Sequence, residues 1–168
     1  MPAVLAVDVG LHTLACCILS DKNTVVHWSI TDLCAGMQPT TKGRVCDVVQ
    51  SIQKTLVCVI GELPPFDRAV IEMQPRKNQI MTMLSHWIFW ELSKRCPLVS
   101  FMSSRVKNRV LAPDIKAIAL SSAYARRKRA AVLYVARSVP ESHKEFYASH
   151  TKKDDLADAF IMALCCQT

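Results

Sequence analysis

The chain has 168 residues and a mass of 18.8 kDa, enough to bury a core without disulfide or metal staples. Residues of the AVILMFWYC set make up 51% and charged residues 21%, which excludes wholesale disorder. A formal charge of +7 and a pI near 9.1 favour a polyanion as partner, nucleic acid before membrane, and no apolar run reaches the roughly 18 residues of a membrane span.

VLAVDVG at 4–10 reads as a buried strand that ends on a carboxylate, with Gly10 letting the chain turn away. The apolar stretch at 3–7 is too short for a signal peptide and has no basic segment before it, so a soluble intracellular protein is expected. LACCILS at 14–20 and TVVHWSI at 24–30 read as further strands, joined through the turn residues Asp21-Lys22-Asn23. Three successive antiparallel strands are the economical reading. Residues 31–41, with Gly36 and Pro39, form a connection.

Apolar positions from Val45 to Ile60 follow a 3.6-residue period, which predicts an amphipathic helix over 42–63, ended by Pro64-Pro65. DRAVIEM at 67–73 is a strand, and Pro75 limits its extension. Residues 78–95 form a helix with Asn78 as N-cap. Its apolar residues, among them Ile80, Met83, Leu84, Trp87, Ile88 and Trp90, wrap nearly all round, so two sides are expected to be buried, the second in a subunit interface.

LVSFMS at 98–103 is a fifth strand, and residues 104–116 read as basic and irregular. Helices are predicted over 117–137, 141–148 and 152–166, the first carrying the ARRKR block. No repeat and no domain boundary interrupts this order, so residues 1–168 are expected to form a single domain. The order βββαβαβ, followed by helices, is a mixed α/β layer fold.

The eight cysteines include no C-x-x-C pair and no His at zinc-finger spacing, and most lie in apolar segments. They are expected to be reduced packing thiols. The five histidines share no spacing and none is assigned a role.

Charge placement says more than its total. Residues 1–100 are nearly balanced, residues 101–153 hold 12 basic side chains against Asp114, Glu141 and Glu145, and residues 154–168 hold three Asp and no base. A solvated charged face accounts for such a run but not for the abrupt change of sign at Lys153-Asp154.

Asp8 and Glu72 each stand at the end of an apolar strand, where a carboxylate is out of place unless paired or metal-bound. Asp154, Asp155 and Asp158 open the last helix, and Asp155 and Asp158 share one face at i and i+3. Helix capping accounts for Asp154, but not for Asp158, which precedes an inward-packing apolar stretch. Four carboxylates brought together would repel. Two Mg²⁺ ions relieve that, with Mn²⁺ the expected substitute, because hard cations take oxygen ligands and leave positions open for substrate phosphate. Two such ions about 4 Å apart can activate a water and stabilise the leaving oxygen of a phosphodiester. The bases upstream then hold the nucleic-acid backbone.

These residues carry a resemblance. AVDVG at 6–10, VIEMQPRKNQ at 70–79, SSRVKN at 103–108, ARRKRAAV at 125–132 and KKDDLADAF at 152–160 resemble, in order, the motifs of RuvC-like Holliday junction resolvases of the RNase H-like superfamily, most of all the poxvirus-type members. The resemblance implies an RNase H-like mixed five-stranded sheet flanked by helices. It also implies a homodimeric, Mg²⁺-dependent endonuclease that resolves four-way DNA junctions by paired symmetric nicks. Asp8, Glu72, Asp155 and Asp158 match the family's catalytic, metal-binding carboxylates. Lys107, in RVKN, and Lys128, within the basic block at 126–129, match lysines near the scissile phosphate. Pro75 stands where the bacterial members carry an aromatic at the junction centre. A viral member would work at the site of viral DNA replication.

Rival readings use the same residues. A nuclease for RNA–DNA hybrids or flaps would keep all the carboxylates. An actin-like ATPase or sugar kinase would share AVDVGLHT, but needs a duplicated domain that 168 residues do not accommodate. A non-catalytic nucleic-acid-binding module leaves Asp8 and Glu72 without a purpose.

Overall fold

The computed structural model describes residues 2–20, 22–36 and 45–167. Five strands, β1 (Val4–Asp8), β2 (Leu14–Leu19), β3 (Val25–Thr31), β4 (Arg68–Glu72) and β5 (Val99–Met102), form one sheet in the order β3-β2-β1-β4-β5. The β1/β2 and β2/β3 pairs are antiparallel, and β1/β4 and β4/β5 are parallel. The mixed sheet with three antiparallel strands first is as expected. Asp21 lies outside the described residues, but its turn partner Asn23 takes φ +56°, a left-handed conformation that asparagine tolerates.

The helices divide between the two faces. Helices α1 (Val45–Glu62) and α2 (Gln79–Ser93) cover one face, where Leu56, Ile60, Leu84, Ile88 and Leu92 meet Leu5, Val7, Ile18 and Ile71. The predicted first turn of α1 at 42–44, and part of the connection before it, lie outside the described residues. Asn78 caps α2 as expected, its side chain accepting from the Met81 amide at 3.3 Å. Only one side of α2 is buried in the fold; Ile80, Met83 and Trp90 are exposed on the other, Trp90 at 66%.

On the opposite face α7 (Lys153–Cys165) lies across the strands, with Leu156, Ala157 and all of Ala159–Ala163 buried. Trp28 of β3 anchors it by donating its indole N–H to the Leu156 carbonyl at 3.1 Å. Helix α5 (Ala123–Ser138) packs Ala130, Ala131 and Val135 into the same core, and α6 (Glu141–Ser149) adds Tyr147.

Two expectations need correction. Residues 104–116 are not irregular: Ser103 caps α3 (Ser104–Val110), and Pro113 sits in the first turn of α4 (Ala112–Ala117), where its missing N–H costs nothing. The helix predicted from 117 starts instead at Ala123, because Ile118 is extended and Ser122 provides the N-cap.

No disulfide joins the cysteines whose side chains are described; Cys16, Cys17 and Cys96 are buried, and burial raises Cys16 to about 12. No described helix is long and apolar enough to cross a membrane.

Candidate active site

Strands β1 and β4 are parallel neighbours with Val7 opposite Ile71, so Asp8 and Glu72 come next in register at one end of the sheet. Side chains alternate between faces. Asp8 therefore shares the face of Ala6, and Glu72 that of Val70, the face covered by α7. Asp158 of α7 completes the group: the carboxylate oxygens of Asp8, Glu72 and Asp158 lie within 4.8 Å of one another.

Lys107 offsets part of this charge. Helix α3 delivers it to the carboxylates at 4% exposure, with Nζ 2.9 Å from Glu72 Oε1 and 3.0 Å from Asp158 Oδ2. Burial opposes its charge, but Asp158, Glu72 and Asp8 outweigh burial and raise it above the usual lysine value. One ammonium does not balance three carboxylates. Burial, and then the Glu72 charge, push Asp8 well above the ordinary carboxyl value, and a side-chain hydrogen bond links the two carboxyl groups. Burial would raise Glu72 as well, yet the bond from Asp8 and the Lys107 charge bring it below its usual value. Asp158 is raised, chiefly by burial, with Lys107 opposing and Glu72 adding to it.

Asp155 lines the same cavity but stands outside the group of three. It is raised by burial and by the Asp154 charge, and it accepts a hydrogen bond from Thr13. Gly10 makes room for that contact: a Cβ there would lie 2.8 Å from Thr13 Oγ1. A side chain at 10 would therefore force Thr13 to shift.

Asp154 does not cap α7 through its side chain, as expected from its position; the N-cap is Lys152, and the Asp154 carboxylate pairs with Lys128 Nζ. A cation at hydrogen-bond range outweighs the helix-end field. Burial would raise Asp154, but this bond holds it below the usual value and Lys128 above its own. Tyr147 secures the start of α7 by donating to the Lys153 carbonyl at 3.2 Å.

Asp8, Glu72, Asp155, Asp158, Lys107 and Lys128 therefore line one cavity of about 710 Å³. Its donor set is all carboxylate oxygen, with more negative charge than Lys107 neutralises. That fits a hard divalent cation such as Mg²⁺ or Mn²⁺ better than zinc, which favours nitrogen and sulfur. A separate exposed group, His12, Asp32 and Cys34, is accounted for by loop bonding: Asp32 Oδ1 accepts from the Cys34 amide at 2.8 Å and lies 3.1 Å from His12 Nδ1.

The poxvirus A22 protein family matches residues 2–167. The chain belongs to that family. Among solved structures it is similar to the yeast mitochondrial Holliday junction resolvase Ydc2, with TM-score 0.64 and 16% identity over 98% of this chain and 78% of that one. It is also similar to Thermus thermophilus RuvC in complex with a Holliday junction substrate, with TM-score 0.60 and 14% identity over 98% and 92% of the two chains. No curated protein sequence matches the chain. The family match and the shared fold agree with the RuvC-like, poxvirus-type resemblance of the motifs and with a crossover junction endodeoxyribonuclease.

Sequence reading missed two residues at this site. Thr13 has no local signal beyond its place after Gly10. Tyr124, which also lines the cavity, stands one turn before Lys128, an i,i+4 relation that was available in the sequence.

Proposed function

We propose that this chain, as a single nuclease domain over residues 1–168, is a Mg²⁺-dependent endonuclease that resolves four-way DNA junctions by paired nicks. The observation that carries this reading is the convergence of Asp8, Glu72 and Asp158 from two strand ends and a helix onto one partly neutralised group. Asp8, Glu72 and Asp158 would hold one ion, and Asp155, set beside them, would help hold a second. Bound there, the ions supply an activated water and charge stabilisation at the leaving oxygen.

The chain's own groups do the rest. Thr13 orients Asp155, and Asp154 orients Lys128 at the cavity edge. Lys107 and Lys128 offer positive charge to the non-bridging oxygens of the scissile phosphate, where charge grows in the transition state. The basic residues of 101–153 hold the flanking backbone. Ile80, Met83 and Trp90 on the exposed side of α2 support a homodimer through this helix, which would set two active sites in two-fold relation for paired nicks.

Incubation with labelled four-way junction, linear duplex and RNA–DNA hybrid, in Mg²⁺ and in EDTA, tests the reading. Junction cleavage into two nicked duplexes, lost in EDTA, is the expected result. Preferential cutting of the hybrid, or cutting in EDTA, would replace it.

A further inference from the structure

Of five Phe, three Tyr and three Trp, Trp90 and Tyr124 are the exposed ones among the described residues. Trp90 belongs to the apolar side of α2. Tyr124 does not: it stands in the first turn of α5, is 61% exposed and joins neither hydrophobic core. Packing gives no reason for a large ring at this position.

Its surroundings do. Tyr124 lines the cavity of the carboxylates together with Arg127 and Lys128, and the Lys128 ammonium lies 5.2 Å from its ring centroid. Asp154 pins that ammonium from a different helix, so the ring is held beside a fixed charge. On the nucleic-acid reading, a strand with its phosphate between the carboxylates and Lys128 would have this ring within the same cavity, beside the neighbouring nucleotide. A planar, exposed aromatic flanked by cations is the chemistry that accepts a nucleobase, because every base offers a π-face.

We infer that Tyr124 forms a nucleobase subsite, stacking on a base splayed out beside the scissile phosphate. This rests on the nucleic-acid reading above and deepens it. The base must leave its own stack to reach the ring, and the bases next to a branch point do so at less cost than those inside continuous duplex. The subsite therefore favours branched over linear DNA without reading sequence.

Four-way junctions carrying 2-aminopurine, an adenine analogue quenched by stacking, test this when the analogue is placed in turn at each of the three nucleotides on either side of the cleavage point. Wild-type protein is mixed with each in Mg²⁺, and fluorescence is followed by stopped flow ahead of cleavage, with binding measured separately by anisotropy. A fluorescence change at one position is expected, retained by Tyr124→Phe and Tyr124→Trp and lost in Tyr124→Ala, whose affinity falls by roughly 5- to 150-fold. An unchanged signal in Tyr124→Ala overturns the subsite. So does slower cleavage in that variant with stacking intact, which would make Tyr124 only a positioning residue for Lys128. Wild type that binds the junction without a signal at any position overturns the subsite alone. Wild type that binds no branched DNA overturns the functional reading as well.

Discussion

The Lys107 ammonium lies 3.0 Å from Asp158 Oδ2 in a site where Lys107 is almost wholly buried. It bridges to Glu72 on its other side, so a single cation from α3 holds a strand end and α7 together across three carboxylates. Removing one partner of a buried ion pair costs about 3–5 kcal/mol, because the other charge stays behind unpaired.

Lys107→Met keeps most of the side-chain volume and deletes the charge. Here the orphaned group is a set of carboxylates, and proton uptake on Asp158 offsets part of the cost. We expect a loss on the order of 3 kcal/mol in metal-free protein, or roughly 6 to 12 °C in Tm for a chain of this size. Mg²⁺ should recover more of that loss than it adds to wild type, since it supplies the missing positive charge. A metal-free Tm equal to wild type would show that Lys107 is not the counter-ion of this site.

Asp8→Asn and Glu72→Gln should abolish cleavage and leave junction binding within a fewfold of wild type. Affinity comes from phosphate contacts along the basic stretch, whereas these two side chains supply ligand oxygens to metal. Turnover near the wild-type rate in either variant, measured in Mg²⁺ at saturating enzyme, would remove Asp8 and Glu72 from the chemistry.

The strand-end carboxylates were legible in the sequence because each interrupts an apolar run that has no local use for a charge. β1 and β4 then place Asp8 and Glu72 side by side through register alone. The α7 carboxylates were legible as an i,i+3 pair, Asp155 and Asp158, ahead of an apolar helix. What could not be read is what depends on contacts distant in sequence. Lys128 meets Asp154 across 26 residues, and no local pattern distinguishes Asp154 as a lysine partner from Asp154 as a cap. Helices α3 and α4 were hidden for another reason: SRVKNRV and APDIKA are too short to show a helical period, and their helical form depends on the Ser103 cap and on burying Leu111 between them.

Proton and metal compete for Asp8, and the direction of its shift gives the pH dependence. Its value in the folded chain lies well above the ordinary aspartate value of 3.8. The folded state therefore holds this proton more tightly than the unfolded state, and the stability that it contributes is lost as pH rises from about 4 through the raised value. Asp158 acts in the same sense, being raised too. Glu72 is lowered from 4.5, so its own contribution is lost only as pH falls below that range, and Lys107 remains charged throughout. The Tm gained on adding Mg²⁺ should accordingly grow from about pH 5 to pH 8, as the ion replaces a proton that is held less firmly. The gain should flatten in Asp8→Asn. Equal gains across that range in wild type would count against Asp8 as a ligand.

Exposed Ile80, Met83 and Trp90 give α2 an apolar side that nothing else in the described fold covers. Met83→Glu with Trp90→Glu should therefore yield a monomer by sedimentation without lowering Tm, since neither residue is in the core. Nicking of the two strands should become uncoupled, with single-nicked junctions accumulating. Wild type that sediments as a monomer at micromolar concentration, and still cleaves both strands, would exclude pairing through α2.

Lys128 and Arg137 lie on the same helix, which makes their comparison informative. Arg137 is occupied by Asp114, at 2.8 and 2.9 Å, and does not line the cavity, whereas Lys128 does. A base that only neutralises phosphate reduces the slope of log K against log salt by about 0.9 and leaves the rate of the bound complex alone. A cation beside the reacting phosphate stabilises charge that grows in the transition state, and its loss appears in the rate. Lys128→Ala should lower single-turnover cleavage at saturating enzyme by on the order of 10²-fold, the cost of losing one such donor. Arg137→Ala should leave that rate unchanged. Saturation matters, because weaker binding would otherwise pass for lost chemistry. The Asp154 partner adds a second arm: Asp154→Asn keeps the shape but frees the ammonium, so its rate should fall less than that of Lys128→Ala, and the double variant should be no slower than Lys128→Ala alone. Independent, multiplying losses would mean that Asp154 acts on the reaction by itself and not through Lys128.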